Sequence, residues 1–222
     1  MASAKIPAQK VILCGDYGVG KSSIFRRFAN DTFVASNDRK STLGLDFYNK
    51  AFCSESGTDG HTHACQCPPI SKLMVQLWDT GGMERVATVT SSYYKFSEAA
   101  ILVYSVDNPD SFNSLANHLL EVASFAENAK IFLCGNKIDI ITSDLVSNDD
   151  VDNFCEQCGI VSGIFKTSCK TGEGVNDMFD EIARVISTSS RSRHELLQLE
   201  QSFKLTTADI DSAEQQPDNC VC

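Results

Sequence analysis

The chain has 222 residues, of which 42% are hydrophobic and 22% are charged, and its formal net charge is −10. The length is enough for one domain with a well-buried core, and the acidic balance argues against electrostatic binding to nucleic acid or anionic lipid. The N-terminus lacks the apolar stretch of a signal peptide, and the longest uncharged apolar run, residues 99–106, is too short for a membrane-spanning helix.

The first predicted elements are a strand, a phosphate-binding loop and a helix, in that order. An apolar run at residues 11–14 leads directly into a glycine-rich turn, and residues 22–28 then place apolar side chains at helical spacing. Further strand-like runs lie at residues 45–53, 73–77, 99–106 and 130–134. Segments of helical period separate several of these runs, which is typical of an α/β fold with a mostly parallel sheet.

The domain is predicted to cover residues 1–188. Asn108 and Pro109 have the residue types of a helix cap and a first helical position. The last helix carries an apolar stripe that should pack on the sheet: Val175, Met178, Phe179, Ile182, Val185 and Ile186. Residues 54–70 are expected to form an enlarged hairpin loop, and the polar residues 189–222 a flexible tail.

The ten cysteines are expected to be reduced thiols, because no secretory signal precedes them. Cys155 and Cys158 have C-x-x-C spacing, but their helical context favours a surface helix over a redox motif. A second cluster lies in the predicted hairpin loop: His61, His63, Cys65 and Cys67. These side chains could bind Zn²⁺, but structural zinc sites prefer wider spacings, so an unstructured loop is the favoured alternative.

Residues 15–22 read Gly-Asp-Tyr-Gly-Val-Gly-Lys-Ser and have the spacing of a phosphate-binding loop. The glycines let backbone N–H groups wrap the α- and β-phosphates, Lys21 reaches the β- and γ-phosphates, and the Ser22 hydroxyl coordinates Mg²⁺. The predicted phosphate site comprises Gly15, Asp16, Gly18, Val19, Gly20, Lys21, Ser22 and Ser23. This motif predicts a nucleotide but does not select its base.

Residues 136–139 read Asn-Lys-Ile-Asp and follow the apolar run at 130–134. The carboxylate of Asp139 can accept two N–H donors from the edge of guanine, whereas adenine offers no such pair. Ligands of parallel sheets bind at the C-terminal ends of strands, where this motif is placed. Asn136, Lys137 and Asp139 therefore predict guanine specificity, and the ligand is expected to be GTP or GDP.

Over residues 10–187 the chain resembles the small GTPases of the Ras superfamily, and most closely the Rab branch. The resemblance rests on Ser-Thr-Leu-Gly-Leu-Asp-Phe at 41–47, Trp-Asp-Thr-Gly-Gly at 78–82, Ser-Ser-Tyr-Tyr at 91–94, Thr-Ser-Cys-Lys at 167–170, and residues 136–139. It implies a P-loop NTPase fold, with a six-stranded, mainly parallel sheet flanked by helices. It also implies a GTP/GDP-switched regulator of vesicle traffic.

The resemblance assigns roles to further residues. Thr42 would close over Mg²⁺ and the γ-phosphate, Asp79 would hold the metal through water, and the N–H of Gly82 would sense the γ-phosphate. The base pocket would be lined by Ser168, Cys169 and Lys170. An aromatic surface for effectors would be formed by Phe47, Trp78 and Tyr93, with an ordinary core cluster as the alternative.

The implied switch depends on the γ-phosphate with Mg²⁺, which would draw Thr42 and Gly82 inward until hydrolysis releases both segments. Effectors would bind only the GTP form. An exchange factor, an activating protein and a prenyl-carrier protein are the other expected partners.

One departure from the family pattern concerns hydrolysis. Position 83 is Met, where the pattern has the Gln that orients the attacking water. The catalytic set would then be Lys21, Thr42, Gly82 and Met83, and slow intrinsic hydrolysis is expected. Tyr17, at a usually small position, would crowd a catalytic residue supplied by an activating protein. Two alternatives are normal switching with tolerated changes and a hydrolysis-deficient GTP-binding scaffold.

The residues Cys220 and Cys222 resemble a Rab-type end that receives two geranylgeranyl groups. Residues 189–222 carry three basic and six acidic side chains, so attachment would rest on lipid and protein partners rather than on a polybasic segment. The expected location is the cytoplasmic face of an intracellular membrane, with a soluble cytosolic pool. The alternative is a disordered terminus with two free thiols.

Overall fold

The centre of the fold is a six-stranded sheet. The computed structural model describes residues 8–35, 46–53, 72–79, 91–141 and 145–188. The strands are β1 (Ala8–Cys14), β2 (Asp46–Cys53), β3 (Lys72–Asp79), β4 (Ser97–Ser105), β5 (Lys130–Asn136) and β6 (Val161–Thr167). Their spatial order is β2-β3-β1-β4-β5-β6, with β2 antiparallel to β3 and the other pairs parallel. The predicted fold class is confirmed.

Helices cover both faces of the sheet. They are α1 (Lys21–Asn30), α2 (Ser91–Tyr94), α3 (Pro109–Asn113), α4 (Leu115–Phe125), α5 (Asn148–Cys158) and α6 (Val175–Ser187). Because successive strand residues point to opposite faces, Val11 and Leu13 join one apolar cluster and Ile12 and Cys14 the other. The first cluster includes residues of α1 and α6, and the second includes residues of α2, α3, α4 and α5.

Two helix predictions are confirmed in detail. The side chain of Asn108 accepts hydrogen bonds from the N–H groups of Asp110 and Ser111, and Pro109 is the first residue of α3. In α6 the predicted stripe faces the sheet, with Val185 partly buried and the other five members fully buried. Packing of this stripe accounts for the position of α6 beside α1.

The strand β6 is the strand that the sequence pattern did not locate. It forms one edge of the sheet, alternates between partly buried and exposed residues, and contains Gly163. A continuous apolar run is therefore missing. Its position is determined by pairing with β5, in which Asn136 lies opposite Thr167.

Several predictions fall on residues that the structure does not describe. These are the hairpin loop at 54–70 with its possible zinc ligands, and the tail at 189–222. Among the described helices, none combines the length and the apolar character needed to cross a bilayer.

Candidate functional site

The C-terminal ends of the parallel strands bring most of the predicted site residues to one edge of the sheet. Gly15 follows the last residue of β1, Asp79 ends β3, Asn136 ends β5, and Ser168 follows β6. The register places Val11 beside Leu77 and Asn136 beside Thr167, so these ends are level with one another. This edge is where ligands of such sheets bind.

The phosphate-binding loop is shaped by close approach of its backbone to neighbouring groups. Gly15 and Gly20 have φ values of 142° and 107°. A Cβ at Gly15 would collide with the carbonyl oxygen of Val103, and one at Gly20 would collide with Nδ2 of Asn136. Neither position accepts a larger residue without movement of the loop.

Lys21 is held inside this loop by the loop's own backbone. Its Nζ donates hydrogen bonds to the carbonyl oxygens of Gly15, at 2.7 Å, and Asp16, at 2.8 Å. The residue is 5% exposed. The contacts fix the ammonium group at the start of α1, where the helix dipole adds further positive potential.

Asn136 joins the phosphate-binding loop to the loop at 168–172. Its Nδ2 donates to the carbonyl oxygen of Val19 at 2.9 Å. Its Oδ1 accepts from the hydroxyl of Thr167, at 3.2 Å, and from the thiol of Cys169, at 3.4 Å. These protein groups engage both ends of the amide, so Asn136 links the two loops directly.

Asp139 presents a carboxylate that is ionised at neutral pH. Burial by itself raises its pKa, but hydrogen bonds to the charged form, mainly from Ser168, together with Lys170, bring that pKa below its ordinary value. The Ser168 hydroxyl donates to Oδ1 at 2.6 Å, and Nζ of Lys170 lies 3.6 Å from Oδ2. The side chain keeps 15% of its surface exposed, so it can still accept hydrogen bonds from a ligand.

Arg27 of α1 is a site residue that sequence reasoning missed. Its Nε and Nη2 donate to the carbonyl oxygen of Cys169 at 3.1 Å and 2.7 Å, and Nη2 also lies 3.2 Å from the carbonyl oxygen of Lys170. Its Nη1 contacts Asp31, which caps the C-terminus of α1. Arg27 thereby ties residues 168–172, here called the base-site loop, to the helix that follows the phosphate-binding loop. The sequence distinguishes it in no way from the adjacent Arg26.

The residues present fit a nucleotide and a divalent cation. Within the described part of the chain, no side chain caps the N-terminus of α1 and no atom lies within 4 Å of a Cβ at Gly18, so the loop borders space that these residues leave open. Ser22 lies in the first turn of α1, and Asp79 is 1% exposed at the end of the adjacent strand β3. Hydroxyl and carboxylate oxygens are the ligands that Mg²⁺ prefers.

The remaining predicted residues divide between the described and undescribed parts of the chain. Lys137 continues the base motif with a left-handed backbone, and its Nζ lies 3.9 Å from Asp107. Ser23 is buried in α1. Outside the described residues lie Thr42, Gly82, Met83, Cys220 and Cys222.

The predicted aromatic surface is wrong for two of its three members. Phe47 is 50% exposed, but Trp78 and Tyr93 are only 6% and 2% exposed. The hydroxyl of Tyr93 accepts from the N–H of Leu13 and lies 2.9 Å from that residue's carbonyl oxygen. Backbone groups of β1 therefore bind the polar end of Tyr93 inside the protein. The rings of Trp78 and Phe47 stack on each other, with their centroids 5.1 Å apart.

The described cysteines are not poised for redox chemistry. Burial raises the pKa of Cys14, Cys134 and Cys169 to about 12. Cys155 and Cys158 lie in α5, as predicted, and burial also raises the pKa of each thiol. Low thiolate content makes them poor nucleophiles.

Comparison with known proteins gives a match along nearly the whole described domain. The family model described as "Ras family" matches residues 10–188. The chain belongs to the Ras family.

Rab-named relatives cover most of this Ras-family chain. Ras-related protein Rab-1D of Dictyostelium discoideum is 34% identical over 91% of this chain and 88% of the relative. Ras-related protein RABD2c of Arabidopsis thaliana is 35% identical over 83% of each. Ras-related protein Rab-26 of Mus musculus is 34% identical over 82% of this chain but only 64% of its own length. The protein is a Rab-like small GTPase.

Proposed function

We propose that this Rab-like protein binds GTP and GDP with Mg²⁺ and hydrolyses GTP as the off-step of a switch. The supporting observation is the junction at Asn136, which joins the phosphate-binding loop at Val19 to Cys169 of the base-site loop. The ionised carboxylate of Asp139 lies in the same motif. The two linked loops could thereby bind both ends of a guanine nucleotide.

The residues of the site have separate roles in this proposal. Lys21 supplies the charge that stabilises the phosphates, and Ser22 and Asp79, with Thr42, would hold the metal. Mg²⁺, when bound, neutralises charge that develops on the phosphate oxygens. Asp139 accepts the N–H groups of guanine, while Ser168 and Lys170 hold its carboxylate in place.

Calorimetry tests the proposal directly. With Mg²⁺ present, titration with GDP or GTP should release heat of binding, and titration with ADP or ATP should release none. The reason is that adenine cannot donate two N–H groups to Asp139. Equal heats for the two bases, or no heat with either, would overturn the proposal.

We further propose that the GTP form recruits effector proteins in membrane traffic, with an exchange factor, an activating protein and a prenyl carrier as the other partners. The Rab-named relatives support this cellular role. A docking surface is supported at β2, where Phe47 and Tyr48 are 50% and 39% exposed. Large exposed aromatics of this kind are typical of protein interfaces.

Hydrolysis should respond to the residue at position 83. Replacing Met83 with Gln should raise the single-turnover rate of GTP hydrolysis about tenfold or more, because an amide can orient the attacking water and a thioether cannot. The rate is measured as phosphate release from preloaded protein. Met83→Leu keeps the apolar bulk and should leave the rate unchanged.

Met83 also favours a second candidate, a GTP-binding scaffold that scarcely hydrolyses. Retention of GTP after purification, both with and without an activating protein, would support this scaffold. A single-turnover rate in the unmodified chain that is normal for small GTPases would contradict both the scaffold and the proposed slow rate.

For membrane attachment, we propose lipid chains on Cys220 and Cys222. Two chains matter because one anchor gives only marginal, reversible binding. Replacing both with Ser should move the protein from the membrane pellet to the soluble fraction. A matched variant with Ser at Cys155 and Cys158 should stay in the pellet, and unchanged distribution of the first variant would refute lipid attachment at this pair.

A further inference from the structure

His118 of α4 contacts the phosphate-binding loop. Its Nε2 lies 2.9 Å from Oδ1 of Asp16, the second residue of the loop. The carbonyl oxygen of the same Asp16 accepts a hydrogen bond from Nζ of Lys21. The imidazole is thus one residue removed from the ammonium group assigned to the phosphates.

The other ring nitrogen of the imidazole faces Glu121 of the same helix. Its Nδ1 lies 3.9 Å from Oε2 of Glu121, and that oxygen accepts a hydrogen bond from the hydroxyl of Tyr94 at 2.6 Å. Tyr94 is the last residue of α2. Side chains therefore connect α2 to the phosphate-binding loop in the order Tyr94, Glu121, His118 and Asp16.

The number of protons on His118 decides whether this connection is continuous. A neutral imidazole has one N–H and can donate to only one of the two carboxylates. A protonated ring has two N–H groups, so it can attract Asp16 and Glu121 together, with charge-assisted hydrogen bonding where distance allows. Loss of the proton leaves a ring lone pair facing the second carboxylate.

We propose that His118 is a pH-responsive positioning residue, which ties the phosphate-binding loop to α2 when protonated and so slows release of the nucleotide. The inference rests on the proposed nucleotide site. Histidine is suited to this role because its charge ordinarily changes near physiological pH. The same connection would couple α2 to the phosphate-binding loop, because the charge of His118 affects its contacts with both Asp16 and Glu121.

Among the described residues, the titratable groups facing the imidazole are Asp16 from the loop and Glu121 from its own helix, with Tyr94 from α2 behind Glu121. From β1, Cys14 interacts electrostatically with Glu121 and Lys21, but burial raises its pKa to about 12, so it stays a neutral thiol throughout. Carboxylate side chains are ordinarily ionised near neutrality, whereas the charge of histidine ordinarily changes there.

The test measures release of fluorescently labelled GDP from the full-length chain between about pH 5.5 and pH 8. Release should become about two- to fivefold faster toward the alkaline end, the effect of a partly exposed ion pair. His118→Gln keeps a donor for Asp16 but cannot titrate, so its release should be independent of pH. Tyr94→Phe should reduce the response, because Glu121 loses its link to α2.

The chain has four histidines, and one of them provides the control. His194→Gln should retain the full pH response. The His118 imidazole titration followed by NMR should share its midpoint with the release rate in the unmodified chain, a measurement that needs no variant. Identical pH profiles for His118→Gln and the unmodified chain would overturn this inference alone. Failure of the unmodified chain to bind labelled GDP would overturn it together with the proposed nucleotide site.

Discussion

Replacing Asp139 with Asn should weaken GDP binding about a thousandfold. In the proposed site the carboxylate would accept two N–H donors of guanine, and each hydrogen bond to a charged group contributes about 1.5–3 kcal/mol. An Asn offers one acceptor and places an NH₂ group against the exocyclic amine of guanine. Xanthine has a carbonyl group in place of that amine, so the variant should bind xanthosine diphosphate better than GDP. Calorimetry with both nucleotides measures the change.

This reversal of preference separates loss of recognition from loss of folding. Asp152→Asn removes an exposed carboxylate from α5 and should leave both affinities unchanged. An Asp139→Asn variant that still prefers GDP by its original margin would show that another residue recognises the base.

Replacing Arg27 with Ala should accelerate release of GDP about a hundredfold. The change leaves the carbonyl oxygens of Cys169 and Lys170 without the guanidinium group that binds them, at a cost of about 2–3 kcal/mol. The loop that holds Asp139 through Ser168 can then move away from the base. Release of labelled GDP is the measurement. Hydrolysis of GTP that remains bound should keep its single-turnover rate, because Arg27 positions the base-site loop rather than the phosphates.

Two related variants control this prediction. Arg26→Ala removes the same charge from the adjacent position of α1 and leaves the guanidinium group of Arg27 in place, so it should change release little. Arg27→Lys should be intermediate, because an ammonium group cannot reproduce the forked hydrogen bonds of Arg. Equal release rates for the Arg26 and Arg27 variants would remove the positioning role of Arg27.

Much of the fold could be predicted because local chemistry and tertiary structure agree. The glycines of residues 15–20 have no side chains that would block the tight approach to Val103 and Asn136. The stripe on α6 is buried as its spacing indicates. Strand β6 escaped prediction because an edge strand buries only alternate residues, which leaves a weak apolar signal.

The aromatic residues show the limit of a sequence motif. Residue type favours exposure or burial only on average, and Trp, Tyr and Phe can do either. Tyr93 is buried because β1 and β3 supply partners for its hydroxyl, and Phe47 is exposed because β2 is at the edge of the sheet. Neither fact is encoded within a few residues of the side chain concerned.

The sequence by itself determined the α/β class, the phosphate-binding loop and the base motif, because each depends on residue types at fixed short spacings. Tertiary structure alone decided that Asn136 joins two loops, that Arg27 holds the base-site loop, and that His118 faces Asp16. Those contacts span 117, 142 and 102 positions of the chain. Only the packing of helices against the parallel sheet brings such distant residues within hydrogen-bonding distance.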